Sequence, residues 1–122
     1  MPRLPAAVPR SLVVAITLGI APFPATAQPI DEEAAFALAK KGTCLKCHAI
    51  AKRKKAPSYT EIARKYAGKP DAESALYKHI NGKPVVKLEE GDEPHAAPPT
   101  KDDGELYNLI RWILTRTPES AQ

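Results

Sequence analysis

Cys44-Leu45-Lys46-Cys47-His48 is the stretch on which the fold of this chain turns. Two thiols three positions apart, with an imidazole directly after the second, admit several chemistries. A thioredoxin-like redox pair follows a strand in a βαβ unit, whereas the residues ahead of Cys44 carry no strand pattern. A structural zinc ion needs two more ligands, and only His79 and His95 remain, at unconvincing spacing. A plain disulfide between Cys44 and Cys47 is sterically possible but leaves His48 without a purpose.

The remaining chemistry uses all three residues. Cys-x-x-Cys-His is the attachment signature of c-type haem. The thiols form thioethers along one edge of the porphyrin, and the adjacent histidine supplies a nitrogen to the iron from below. Cys44 and Cys47 are therefore the expected attachment points and His48 the expected proximal ligand.

Working outward, the chain has 122 residues, 43% of them apolar and 26% charged, which suits one domain and excludes both a disordered tail and a membrane bundle. Two cysteines exclude a multi-disulfide scaffold and a four-cysteine zinc site. Arg3 and Arg10, the apolar run Leu12 to Ile20 and the small-x-small site Ala25-Thr26-Ala27 predict a secretory signal peptide over residues 1–27. Its removal leaves residues 28–122, 95 in all, and no transmembrane segment is expected afterwards. It also takes the one methionine, Met1, and two arginines, so the formal charge falls from +4 to +2.

The expected mature domain, 28–122, is all-α. Asp31 caps a helix whose first turn holds Glu32 and Glu33 and whose pattern fades near Gly42. Ser58 and Glu61 form a capping box that opens a second helix, ending near Gly68. Asp71 opens a third, with Gly82 as its stop. Lys83 to Pro99 shows no sustained period and is taken as a long loop, a length that points to a functional role. Thr100 and Asp103 form a second capping box ahead of Leu106, Leu109, Ile110, Ile113 and Leu114 at helical spacing, and Thr117-Pro118 ends that run. One phenylalanine, one tryptophan and four tyrosines make a thin core for 95 residues, as expected of a chain that folds around a large apolar group.

With these residues in place, the mature chain resembles the small bacterial class I cytochromes c. Leu38 to Lys41 leading into Cys44 looks like that family's first helix, and Ala56-Pro57-Ser58-Tyr59 resembles its Gly-Pro-Ser/Ala-Tyr segment. Ile62 to Tyr66, Ile80-Asn81-Gly82 and Trp112-Ile113-Leu114 match its usual runs. The resemblance implies about four short helices wrapped around one covalent haem c, with Phe36 meeting the Leu106/Ile110/Ile113 face. It gives the Pro57 carbonyl the task of accepting a hydrogen bond from the other nitrogen of His48.

The departure lies in the sixth ligand. The family places a methionine shortly before the last helix, often ahead of two prolines; here Ala97 precedes Pro98-Pro99, and the mature chain has no methionine. His95, two residues upstream, is the expected distal ligand, giving a bis-histidine haem of lower potential than methionine-ligated relatives. His79, a loop lysine such as Lys83 or Lys87, and an empty position stand as alternatives. Two histidines on the iron make a periplasmic single-electron carrier that is not an enzyme, alone or as the haem subunit of a dehydrogenase. An open or labile distal position would instead make a diatomic-gas sensor or a small redox enzyme.

Lys40, Lys41, Lys46 and the run from Lys52 to Lys55 suggest redox partners with acidic docking surfaces. Glu89, Glu90, Asp92 and Glu93 would put the opposite charge on the far loop, and nucleic acid is not an expected partner. Tyr59, Arg64 and Trp112 are weak candidates for contacts with the haem propionates.

Overall fold

The computed structural model describes residues 1–3, 19 and 28–117. The leader expected over residues 1–27 thus lies almost wholly outside the described residues. From residue 28 onward the chain forms α1 (Glu32–Lys41), α2 (Cys44–Cys47), α3 (Tyr59–Tyr66), α4 (Ala72–Gly82), β1 (Val85–Leu88), β2 (Gly91–Pro94) and α5 (Asp103–Leu114).

The helix starts follow from local chemistry. The Asp31 carboxylate accepts from the Ala34 amide, while Lys40 and Lys41 lie in the last turn where the helix dipole favours cations. At α3 the capping box is reciprocal: Ser58 Oγ accepts from the Glu61 amide at 3.2 Å, and Glu61 accepts from the Ser58 amide at 2.7 Å. At α5 the cap differs from expectation. Asp102, rather than Thr100, accepts from the Gly104 and Glu105 amides, and Thr100 instead donates its hydroxyl to the Glu105 carboxylate. A carboxylate one position ahead of the helix is the better acceptor for the positive end of the dipole, so it displaces the hydroxyl. At α4, Gly82 is the last helical residue and the left-handed turn falls on Lys83, at φ 46°.

Helix α5 is the centre of the core. Leu106, Leu109, Ile110, Trp112 and Ile113 are all buried there and pack with Ala35, Ala39, Tyr59, Leu76 and Ile80 from the other helices. The crossing of α1 with α5 is made by Ala35 and Ala39, at 1% and 0% exposure, whose small side chains let the helix backbones approach. Phe36 reaches α5 from the rim of this crossing rather than from its buried centre. It lies one position round the helix, 39% exposed, edge-on to Trp112 with ring centroids 6.1 Å apart. Asp31 and Asn108 exchange two hydrogen bonds, at 2.9 and 2.8 Å. Arg116 lies over the Trp112 ring and reaches Glu32 at 3.2 Å.

The expected loop from Lys83 to Pro99 contains an antiparallel hairpin, in which Val85 pairs with Pro94, Val86 with Glu93, Lys87 with Asp92 and Leu88 with Gly91. Alternation is confined to β1, where Val86 and Leu88 are half-buried and Val85 and Lys87 exposed; β2 is exposed throughout. A two-stranded hairpin is marginal alone, and this one leans Val86 and Leu88 on the cavity described next. Among the described residues the chain is thus five helices and one hairpin, the fifth helix being the single turn made by the cysteine motif.

Candidate functional site

The motif occupies α2 and its exit. Thr43, in the left-handed region at φ 59°, turns the chain out of α1, and Cys44 and Cys47 stand at the two ends of the turn as free thiols. His48 then leaves the helix in extended conformation, its amide donating to the Cys44 carbonyl at 2.9 Å. The loop that follows is clipped back on itself: the Ala56 amide donates to Cys47, Tyr59 to Ala49, and the Thr60 amide and hydroxyl both to Ile50.

These clips bring Pro57 to His48. The His48 ring donates from Nδ1 to the Pro57 carbonyl at 2.6 Å, which fixes its tautomer and leaves Nε2 with a free lone pair. Tyr59 stacks on the same ring at 5.5 Å and 20°, and Trp112 meets Tyr59 edge-on at 5.5 Å. Burial holds the His48 imidazole below its ordinary pKa, with His95 adding to the effect and the Pro57 bond opposing it, so the ring is neutral at physiological pH. Burial likewise pushes the Cys44 thiol and the Tyr59 phenol upward.

Cys44, Cys47, His48, Tyr59, His79 and His95 all line one cavity of about 640 Å³, whose apolar wall includes Leu76, Ile80, Val86 and Leu109. The His95 amide donates to the Pro84 carbonyl at 2.8 Å, anchoring the residue where the hairpin returns. The His48 and His95 rings have centroids 6.1 Å apart and planes inclined at 52°. Two imidazoles that share one metal ion through bonds of about 2.0–2.1 Å bring their ring centres to roughly 6 Å apart. Two buried side-chain polar atoms among the described residues lack a hydrogen-bond partner, Tyr59 Oη and His95 Nδ1, and both belong to residues of this cavity. An apolar cavity with paired thiols at one side, two imidazoles at that separation and orphaned polar atoms around it fits an iron porphyrin.

The competing readings of the motif find no support among the described residues. Among these residues no strand precedes Cys44, the two thiols are not bridged, and no group of three or more His, Cys, Asp or Glu side chains could hold a metal ion. Of the weak propionate candidates only Tyr59 lines the cavity; Trp112 is buried behind it and Arg64 is exposed elsewhere. His79 comes closer to the site than its place in α4 suggested, with its ring 4.7 Å from that of His95, and burial leads the lowering of its pKa. Nothing in the sequence signals that pairing, because it depends on where the segment after the hairpin returns beside α4.

The charged segments also differ from expectation. Lys55 pairs with Glu90 at 2.7 Å, Arg53 with Glu61 at 3.1 Å, and Lys54 donates to the Leu45 carbonyl. The acidic hairpin turn therefore meets the basic loop rather than standing opposite it.

The family model for cytochrome c matches residues 32–117. Cytochrome c-552 of Hydrogenobacter thermophilus is 36% identical over 80 residues, covering 64% of this chain and 76% of its own length. Cytochrome c-551 of Pseudomonas aeruginosa is 35% identical over 88 residues, covering 70% and 77%. Among solved structures, the class 1 cytochrome MtoD of Sideroxydans lithotrophicus superposes with a TM-score of 0.65 at 36% identity, over 71% of this chain and 97% of that one. Cytochrome c552 of Nitrosomonas europaea gives 0.52 at 33% identity, over 67% and 99%.

Proposed function

The chain belongs to the cytochrome c family, and on that premise we propose that it is an exported, periplasmic single-electron carrier whose haem iron is held between His48 and His95. Members of the family are electron-transfer proteins rather than enzymes and carry one covalently attached haem c. When bound, that haem supplies the exchange of one electron between ferric and ferrous iron.

The chain's own residues divide the remaining work. Cys44 and Cys47 attach the group from the two ends of α2. His48 offers Nε2 as proximal ligand, and the Pro57 carbonyl, by taking the Nδ1 proton, holds the ring's orientation and raises its basicity. His95 is the distal ligand. The observation that carries this assignment is its ring, 6.1 Å from that of His48 in the same cavity. Imidazole stabilises ferric iron better than a thioether does, so the potential lies below that of methionine-ligated relatives. Leu76, Ile80, Val86 and Leu109 keep water from the group.

Residues 1–27 act as the signal peptide and 28–122 as the mature domain. No helix among the described residues is long and apolar enough to cross a membrane. Lys40, Lys41, Lys46 and Lys52 supply the positive charge for acidic redox partners, and the protein works alone or as the haem subunit of a dehydrogenase.

Absorption spectra of the ferric and ferrous holoprotein, with and without carbon monoxide, test the ligand set. Low-spin spectra in both states, unmoved by carbon monoxide, are expected. A high-spin ferric spectrum, or rapid formation of a carbon monoxide complex, would overturn His95 as ligand and leave gas sensing or redox catalysis in its place.

A further inference from the structure

A histidine that binds a metal through one ring nitrogen almost always gives its other N–H to a neighbour, which sets the ring's angle and its strength as a ligand. His48 meets this requirement through Pro57 at 2.6 Å. His95 does not: its Nδ1 is sealed from solvent and has no partner. Sealing an N–H without a partner is costly, so something must answer it. The nearest polar ring is that of His79, from the last turn of α4, standing edge-on to His95 at 4.7 Å and 67°. His79 is exposed enough to turn, and it shares the cavity with His48 and His95.

We propose that His79 is the positioning residue of the distal ligand, its imidazole accepting the ring N–H of His95 and holding that ring in place. The proposal rests on His95 being the sixth ligand. It gives α4 a part in setting the potential, since an accepted N–H makes the ligating nitrogen more basic and favours ferric iron. It also explains how a ligand just past an exposed hairpin is kept in position. The segment after β2 supplies the residue, and α4 supplies the side chain that its ring is set against.

The test uses the holoprotein in three variants, His79→Leu, His79→Gln and His95→Ala. The expected result is that His79→Leu stays low-spin in both oxidation states, takes up carbon monoxide in the ferrous state ~10-fold faster or more, and has a higher potential. Glutamine, whose amide oxygen can accept the same N–H, restores the parent's behaviour. A His79→Leu protein with the parent's carbon monoxide rate and potential overturns the proposal. So does one that turns high-spin, which would make His79 itself the ligand. His95→Ala separates the two levels. A high-spin His95→Ala protein beside a silent His79→Leu protein removes the positioning role alone, whereas a low-spin His95→Ala protein removes the bis-histidine assignment and this inference together.

Discussion

Gly42 and Pro98 touch where the end of α1 meets the segment leading to the last helix: a Cβ on Gly42 would lie 3.0 Å from the Pro98 Cα. It would also lie 3.2 Å from Cys44 Sγ. The glycine thus lies between the attachment motif and the distal segment, and the nearest atom in the way is backbone, which cannot turn aside. Gly42→Ala is expected to cost ~1–3 kcal/mol, the range for overpacking a tight site. Thermal unfolding of the holoprotein checks it, and an unchanged midpoint would mean that the two segments part freely.

The difference in burial between Phe36 and the core of α5 gives a second expectation. Ile110 is fully buried in α5, so Ile110→Ala should destabilise by roughly 2–5 kcal/mol. Phe36→Ala removes a larger side chain, yet 39% of Phe36 is already exposed, and its loss should be the smaller of the two. Denaturant titration of both variants decides this; a larger loss for Phe36 would place it in the core after all.

The capping box at α3 makes acid sensitivity predictable in sign. Glu61 is held below its ordinary pKa, first by the bond from the Ser58 amide, with the Ser58 hydroxyl and Arg53 contributing. A carboxylate whose pKa is depressed on folding stabilises the protein above its unfolded pKa, and that contribution is lost as pH falls through the folded value. Glutamine keeps the box without the charge. Stability of the parent measured against Glu61→Gln should therefore show a gap near neutral pH that narrows below about pH 4.3. A gap independent of pH would contradict the assignment.

The Lys55–Glu90 pair ties the proximal loop to the hairpin turn, and both partners are exposed. Each side chain shifts the other in the expected sense, Glu90 downward and Lys55 upward, chiefly through their hydrogen bond. A double-mutant cycle with Lys55→Gln and Glu90→Gln should show favourable coupling at low salt that vanishes near 1 M, where the screening length is only ~3 Å. Coupling that survives high salt would point to a contact other than the charges.

Much of this was legible in the sequence because it is written locally. Asp31, the Ser58/Glu61 box and the apolar spacing of Leu106 to Leu114 act within a turn or two of themselves. The Cys44 to His48 motif carries its chemistry within five residues. The hairpin was not legible, since only Val86 and Leu88 alternate inward and their partner is a cavity assembled from distant helices. The same holds for the His79–His95 contact and the Lys55–Glu90 pair, which join residues far apart in the chain and exist only in the folded unit. Thr100 was a misplaced cap because a stronger acceptor, Asp102, stood two residues further on.

The contacts of Asp31 with Asn108 and of Glu32 with Arg116 bring the entry and exit of the folded unit to one corner. A tether or fused partner attached at either end would hold the unit by the same place, leaving its other faces free to reorient. A short linker from residue 116 back to residue 31, with new ends opened in a surface turn, would make a circular permutant in which the crossing of α1 and α5 is undisturbed.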